Sequence, residues 1–365
     1  MTHSPSPSRP VLGVGIVLFN SADVILDCLE SLIASAAATD TDLRIVLCDN
    51  ASTDDTLDTL RQWATGALPY TAPNDIPFPL TASSKPIVIT ECAPGPHLPA
   101  QGQGHITLID AGVNAGFAAG VNRCVEALAS DPAIDTFWVL NPDSVVAPGT
   151  PATFLAAAAT SAPFSLMGGR VCYLDPPDRI QIDGGTLHRW TGVTGNLNLG
   201  QSHTTTPYPD AASLDFITGA SMIVSRSFYE TAGPMTEDYF LYYEEVDWAM
   251  RRGDLPLAYC RDGLVYHKAG TAIGSPTLER VSSPFSMYLK TRARMRFVAR
   301  FNAKALPVAM GFALGKAAQA LLKGAPASAW AAVAGALFLG PPKAVRARLS
   351  PEAARLAFGH DPKAS

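Results

Sequence analysis

Unbroken apolar runs of strand length alternate with segments in which apolar residues recur every three or four positions. VLGVGIVLF (11–19) is rich in Val and Ile and continuous, as a strand buried on both faces would be. Val24, Ile25, Cys28, Leu29, Leu32 and Ile33 follow at helical spacing. LRIVLCD (43–49) predicts a second strand, NASTDD (50–55) a polar turn, and about 55–64 a second helix. The rhythm resumes with HITLID (105–110), a helix presenting Val121, Cys124, Val125 and Leu128, and TFWVL (136–140). This alternation predicts an α/β chain with a mostly parallel, Rossmann-like sheet flanked by helices.

Three stretches break the rhythm. Residues 66–104, rich in Pro and Gly, read as a long loop with a strand at PIVIT (86–90). An Ala-rich helix is expected at 152–160, loops or short strands at 183–206, and strand, turn, strand at LDFITGASMIVS (214–225). The end of the chain is helical by pattern. SMYLKTRARMRFVARFNAK (286–304) interleaves Lys and Arg with aromatics, and the apolar stretches 305–315 and 324–342 follow. The first is too short to span a bilayer, and the second is dominated by Ala and Gly with prolines. We therefore divide the chain into a disordered Ser/Pro leader (1–10), an α/β domain (11–283), a helical, membrane-associating region (284–349) and a tail (350–365).

With 47% hydrophobic and 16% charged residues, the 365-residue chain is neither disordered nor collagen-like. Its net charge of −5 hides an asymmetry. No Asp or Glu occurs from Arg280 to Pro351, where 12 Lys or Arg stand, whereas residues 1–279 carry 30 acids against 13 bases. An acidic body with a basic, apolar tail fits a catalytic domain that meets an anionic surface. The six cysteines form no CxxC pair and read as reduced thiols.

The chemistry-bearing residues gather where strands end, as ligand sites of parallel sheets do. Phe19-Asn20, the run Asp49 to Asp54, Asp110 ahead of GVNAGFAAGVN (112–122), and Asn141-Pro142-Asp143-Ser144 all follow predicted strands. Gly13-Val14-Gly15 lacks the rest of a GxGxxG, and Gly112 to Gly120 lacks the Lys-Ser/Thr of a P-loop. The densest cluster is DYFLYYEEVDWAMRR (238–252), with Glu244, Glu245 and Asp247 within four positions among aromatics. Such surroundings raise a carboxylate's pKa, as a general base near neutral pH requires. His267 closes a strand-like run and is a candidate metal ligand.

Together these segments resemble a family 2 glycosyltransferase of the rhamnosyltransferase and galactofuranosyltransferase branch. The matching segments are IVLFN, VLCDNASTDDTLDTL, NAGFAAGVN, FWVLNPDS, DFITGASMIVSRSFYETAGPM, DYFLYYEEVDWAMRR and VYHKAGTAIG, in the family's order over about residues 11–300. The resemblance implies a GT-A fold and an inverting, metal-dependent transfer from a nucleotide-diphosphate sugar, such as rhamnose, to a glycan or lipid-linked acceptor. Phe19, Asn20, Asp49, Asn50, Ser52, Asn114, Gly116, Phe117, Asn122, Asn141 and Gly219 would form the nucleotide-sugar pocket. Asp143 and His267 would hold Mg²⁺ or Mn²⁺. Glu245 stands where the family places its base, an Asp, with Glu244 and Asp247 sharing the cluster. Asn141 replaces the first acid of the family's Asp-x-Asp motif. The expected place is the inner face of the cytoplasmic membrane, with 286–342 against anionic lipid.

Two other classes compete. A catalytically silent nucleotide-sugar-binding protein on the same fold would explain Asn141 and Glu245. A nucleic-acid binder acting through 286–304 is disfavoured by the acidic body and the lack of a binding module, so no nucleic-acid partner is expected.

Overall fold

In the computed structural model, which describes residues 11–96, 98, 105–161, 163–268 and 282–359, the chain forms one large mixed sheet between layers of helices, followed by a C-terminal helical region. The strands are β1 (Val11–Leu18), β2 (Asp42–Asp49), β3 (Ile89–Cys92), β4 (Ile106–Asp110), β5 (Thr136–Leu140), β6 (Ser144–Val146), β7 (Leu166–Tyr173), β8 (Ile180–Ile182), β9 (Gly185–His188), β10 (Val193–Asn196), β11 (Ser221–Ser225) and β12 (Ala258–His267). Their order is β3-β4-β2-β1-β5-β11-β7-β12-β6, with β8 beside β7 and β9-β10 a separate hairpin. β1 to β5 run parallel, and so do β7 and β12, whereas β11 and β6 are antiparallel to their neighbours. The α/β class, the mostly parallel sheet and the C-terminal helices agree with the sequence pattern.

Each face of the sheet carries its own core. Helices α1 (Ile25–Ala37), α2 (Thr56–Thr65) and α4 (Thr150–Ser161) cover one side. The other is covered by α3 (Phe117–Ala129), α5 (Arg226–Ala232), α6 (Glu244–Met250) and part of α7 (Pro284–Phe301). All eight residues of β1 are buried, which is why its sequence is apolar at every position. The Gly13-Val14-Gly15 run serves this packing. A Cβ on Gly15 would lie 2.8 Å from the Cβ of Cys124, so glycine lets α3 settle close on β1.

Residues 66–96 are coil with an edge strand at Ile89–Cys92 rather than 86–90, since Pro86 has no N–H for a ladder. They are tied down nonetheless. Buried Glu30 on α1 accepts from Ser83 N–H (2.6 Å), Lys85 Nζ (2.8 Å) and Trp63 Nε1 (2.7 Å). Burial pushes this carboxyl up, yet those donors hold it below its usual range. Ile76, with Phe78 and Leu80, packs against Val145, Leu174 and Tyr266 at the β6-β12 edge. Within 214–225, only Ser221–Ser225 forms a strand. Leu214, Phe216 and Ile217 are buried as an irregular segment, joined to β9 by the Gly185 N–H to Phe216 O bond (2.9 Å).

After α7 come α8 (Leu306–Leu322), α9 (Pro326–Ala336), α10 (Lys343–Arg346) and α11 (Pro351–Phe358), so the helical region reaches into 350–365. The basic helix turns two of its four arginines inward. Arg292 and Arg294 are buried, stacked on Phe358 and Phe312, and Arg296 and Arg300 bond to the loop before α6. The apolar stretch 305–315 is part of a longer helix that runs on past Lys316. Ala303–Leu322 is continuous and, among the described residues, is the one helix long and apolar enough to cross a membrane. The leader 1–10 and the AGTAIG segment after Lys268 lie outside the described residues.

Candidate active site

The parallel register aligns Leu18 with Asp49 and Asp49 with Asp110, and pairs Ile16 with Leu140. Strands β1, β2, β4 and β5 therefore deliver their polar sequels to one edge. Asn20 turns there in the left-handed region (φ 52°). Its N–H donates to Ser52 Oγ (2.9 Å), and its Oδ1 accepts from Thr53 N–H (2.8 Å). The preceding Phe19 is exposed. Asp49 is buried and accepts from Ser52 N–H (2.9 Å) and Ser52 Oγ (2.5 Å). Burial raises its pKa, Ser52 opposes the rise, and Asp110 and Asp54 add to it.

Asn50 donates through Nδ2 to Gly116 O (3.0 Å), and Asn114 Oδ1 accepts from Gly116 N–H (3.0 Å). Gly116 has φ 97°, and a Cβ there would sit 2.3 Å from Phe240 O, so glycine is required twice over. Phe117 N–H donates to Phe240 O (3.0 Å), and the Phe117 ring lies beside Gly219. The strand-end loops and the loop carrying the acids are thus in direct contact. Asn122 is turned away from the edge. It donates to Met235 O (2.9 Å) and Glu237 Oε1 (2.8 Å) and accepts from Met235 N–H (2.8 Å), which pins the 233–243 loop to α3. Those bonds make it a brace of that loop.

Asp143 and His267 meet because β6 and β12 pair with His267 opposite Ser144. His267 Nε2 lies 2.9 Å from Asp143 Oδ1 and 3.3 Å from Asn141 Nδ2, while Nδ1 lies 2.8 Å from Gln181 Oε1. With Nδ1–H donating to Gln181, the Nε2 lone pair faces a carboxylate oxygen. Two acceptors at that distance need a cation between them, a proton or a metal ion. The donors, one carboxylate oxygen and one imidazole nitrogen, suit a divalent ion. Burial alone would push the Asp143 carboxyl up, but His267, its own N–H and Lys268 hold it below its usual range. Among the described residues no third His, Cys, Asp or Glu joins the pair.

The acids follow a strained segment. Phe240 (φ 65°), Tyr242 (φ 73°) and Tyr243 (φ 73°) all have positive φ, a conformation that costs bulky residues energy and clusters at functional sites. The Tyr243 hydroxyl donates to Gly192 O (2.6 Å), and the Tyr242 hydroxyl bonds to Ser286 Oγ (2.8 Å). The three carboxylates then part company. Glu244 is 2% exposed and its Oε2 has no hydrogen-bond partner. Burial, then the charge of Glu245, pushes its pKa up to about 8. Glu245 is half-buried and also raised by desolvation, with Lys290 pulling it down. Asp247 is fully buried and saturated. It accepts from Thr236 Oγ1 (2.9 Å), Tyr239 OH (2.9 Å) and Arg251 Nε (2.8 Å), and pairs with Arg300 Nη1 (3.1 Å). Of the three, Asp247 is occupied in holding the loop and has no oxygen left to take a proton.

Sequence reasoning missed several of these partners. Arg251 follows Asp247 at i+4 and carried a local signal. Gln181, Lys290, Arg296 and Arg300 did not, since tertiary packing alone brings them to the site.

Residues 14–73 match the family model Glycosyl transferase family 2. The Low-salt glycan biosynthesis hexosyltransferase Agl10 of Haloferax volcanii is 26% identical over 193 residues, 52% of this chain and 59% of that relative. The match therefore spans less than two thirds of that relative's length. Among solved structures, the mannosyltransferase PcManGT from Pyrobaculum calidifontis, in complex with GDP-Man and Mn²⁺, is similar at TM-score 0.47 and 15% identity, over 94% of this chain and 80% of that one. TarS 1–349 of S. aureus in complex with UDP-GlcNAc gives 0.45 and 12%, over 95% and 88%. The β1 and β2 strand ends, with Asn20, Asp49, Asn50 and Ser52, thus lie inside the segment that matches the Glycosyl transferase family 2 model.

Proposed function

We propose that the chain is an inverting GT-A glycosyltransferase that moves a hexose-type sugar, rhamnose among the candidates, from a nucleotide diphosphate to a glycan or lipid-linked acceptor. The observation that carries this reading is the joining of the family 2 strand ends to the acid loop through Asn50, Gly116 and Phe240. One cleft then holds a donor side and a base side.

On the donor side, Phe19, Asn20, the Asp49–Ser52 turn and the 114–117 loop would bind the nucleotide, with Asn141 and Gly219 toward the sugar. Asp143 and His267 would hold Mg²⁺ or Mn²⁺, which when bound neutralises charge on the diphosphate. Gln181 fixes the imidazole tautomer such binding requires. On the base side, Glu245 is the carboxylate that solvent and an acceptor can reach, whereas Glu244 is closed off. The acceptor oxygen attacks the anomeric carbon from the face opposite the diphosphate. Its proton passes to Glu245 as the bond to the diphosphate oxygen breaks. Glu244, uncharged at neutral pH, keeps a second negative charge away from that proton transfer.

The test is thermal stabilisation and hydrolysis with dTDP-, UDP-, GDP- and CMP-sugars, with Mn²⁺ or with chelator. Metal-dependent stabilisation by one nucleotide class, lost in Asp143→Ala, is expected. Glu245→Gln should keep that stabilisation and lose about 10²–10⁴ in transfer rate. Stabilisation without turnover by any donor or acceptor would favour the silent binding protein, to which Asn141 and the two-residue metal pair lend support.

A further inference from the structure

Helix α8 is built inside out. The stripe it packs inward is Ala309, Ala313, Ala317 and Ala320. Four of its large apolar residues face outward: Val308, Leu314, Leu321 and Leu322 are exposed, the last at 89%, while Leu306 and Met310 pack against the core. Trp330 on α9 and Leu337 beyond it are exposed as well. An amphipathic helix of a globular protein puts its large residues on the core side, so this face is apolar for another solvent. Phe312, Gly315, Ala318 and Leu322 line a shallow groove there with Lys316 and Gln319.

The charges around this face have one sign. Lys304, Lys316 and Lys323, along α8 and at its two ends, are exposed, and no acid occurs from Arg280 to Pro351. A second copy of the chain, packed face to face, would set these cations against themselves with no local acid to pair them. A spanning arrangement would strip the alanine stripe from its neighbours and put Lys316 near mid-membrane. An interfacial lipid layer satisfies both halves of the pattern: acyl chains take the leucines, and anionic headgroups take the lysines.

We propose that the outward face of α8, with Trp330, seats in the surface of a bilayer containing anionic lipid, the helix lying in the membrane plane. This deepens the reading of a transferase with a lipid-linked acceptor and rests on it for the choice of a membrane over another apolar partner. It also narrows the contact expected over 286–342 to the outward face of α8 and Trp330, since Arg292 and Arg294 of α7 are buried.

The test is co-sedimentation of the full chain with phosphatidylcholine vesicles with and without phosphatidylglycerol, at low and high salt. Binding to the anionic vesicles is expected, weakened about fivefold for each lysine neutralised in Lys316→Gln and Lys323→Gln. Leu321→Ser with Leu322→Ser should release the protein even at low salt. Equal binding to both vesicle types, no binding to either, or a wild-type dimer in light scattering that the leucine variants dissociate would each overturn the proposal. Donor-induced stabilisation, measured on the same variants, should not change. Its absence in the wild type would count against the transferase reading, whatever the vesicles report.

Discussion

Glu244 and Glu245 are neighbours with opposite circumstances. One is sealed and unpaired, the other reachable and close to a lysine. The folded Glu244 carboxyl titrates near 8 against an ordinary 4.5, so the folded state holds its proton more tightly than the unfolded chain. The stabilisation from that proton is complete below about 4.5 and disappears as pH rises through about 8. Melting temperature should therefore fall between about pH 4.5 and about pH 8, and Glu244→Gln should flatten the fall. An identical slope in the variant would mean that the carboxyl is not buried as described. That three acids gather among aromatics was legible from the sequence. Which acid does what was not, because Glu244 and Asp247 differ by tertiary partners alone. The same holds for His267, whose position at the end of a strand was readable, whereas Gln181 beside it was not.

The 234–243 loop is held from several sides at once. Asn122 grips Met235, the N–H of Phe117 grips Phe240, and α7 contributes Arg296 to Asp238 O and Arg300 to Thr236 and Asp247. Such bracing fits the positive φ angles at Phe240, Tyr242 and Tyr243, which persist where surroundings over-determine them. Asp247→Ala would leave Arg251 and Arg300 without their shared carboxylate. It should cost about 3–5 kcal/mol in denaturant unfolding, as loss of one partner from a buried ion pair does. A cost under about 1 kcal/mol would class the cluster with surface pairs. Alternating strand and helix patterns marked β1, β2, β4 and β5 because those strands are buried and locally regular. The irregular 214–217 segment misled the pattern, since burial there proceeds without a ladder.

The whole chain is more tightly integrated than its composition suggested. A Pro-rich segment that reads as a free loop is clamped by Glu30 and caps the β6-β12 edge, next to Asp143 and His267. Glu30→Ala should leave Lys85 and the Trp63 indole without their acceptor. The 66–88 segment should then be cut by a nonspecific protease many times faster than in the wild type, with the rest of the fold resistant. Unchanged cleavage would mean that the apolar contacts of Ile76 suffice alone. The basic helix was likewise read as surface because its charges were visible and its partners, 58 and 64 residues away in sequence, were not.

That separation also orders events during translation. Arg296 and Arg300 leave the ribosome dozens of residues after the loop they brace. A nascent chain that has emerged only as far as that loop can lay down β1, β2, β4 and β5 before the carboxylate cluster is locked in place. Fixing the cluster therefore waits for α7, and a polypeptide released before α7 holds Asp247 without Arg300.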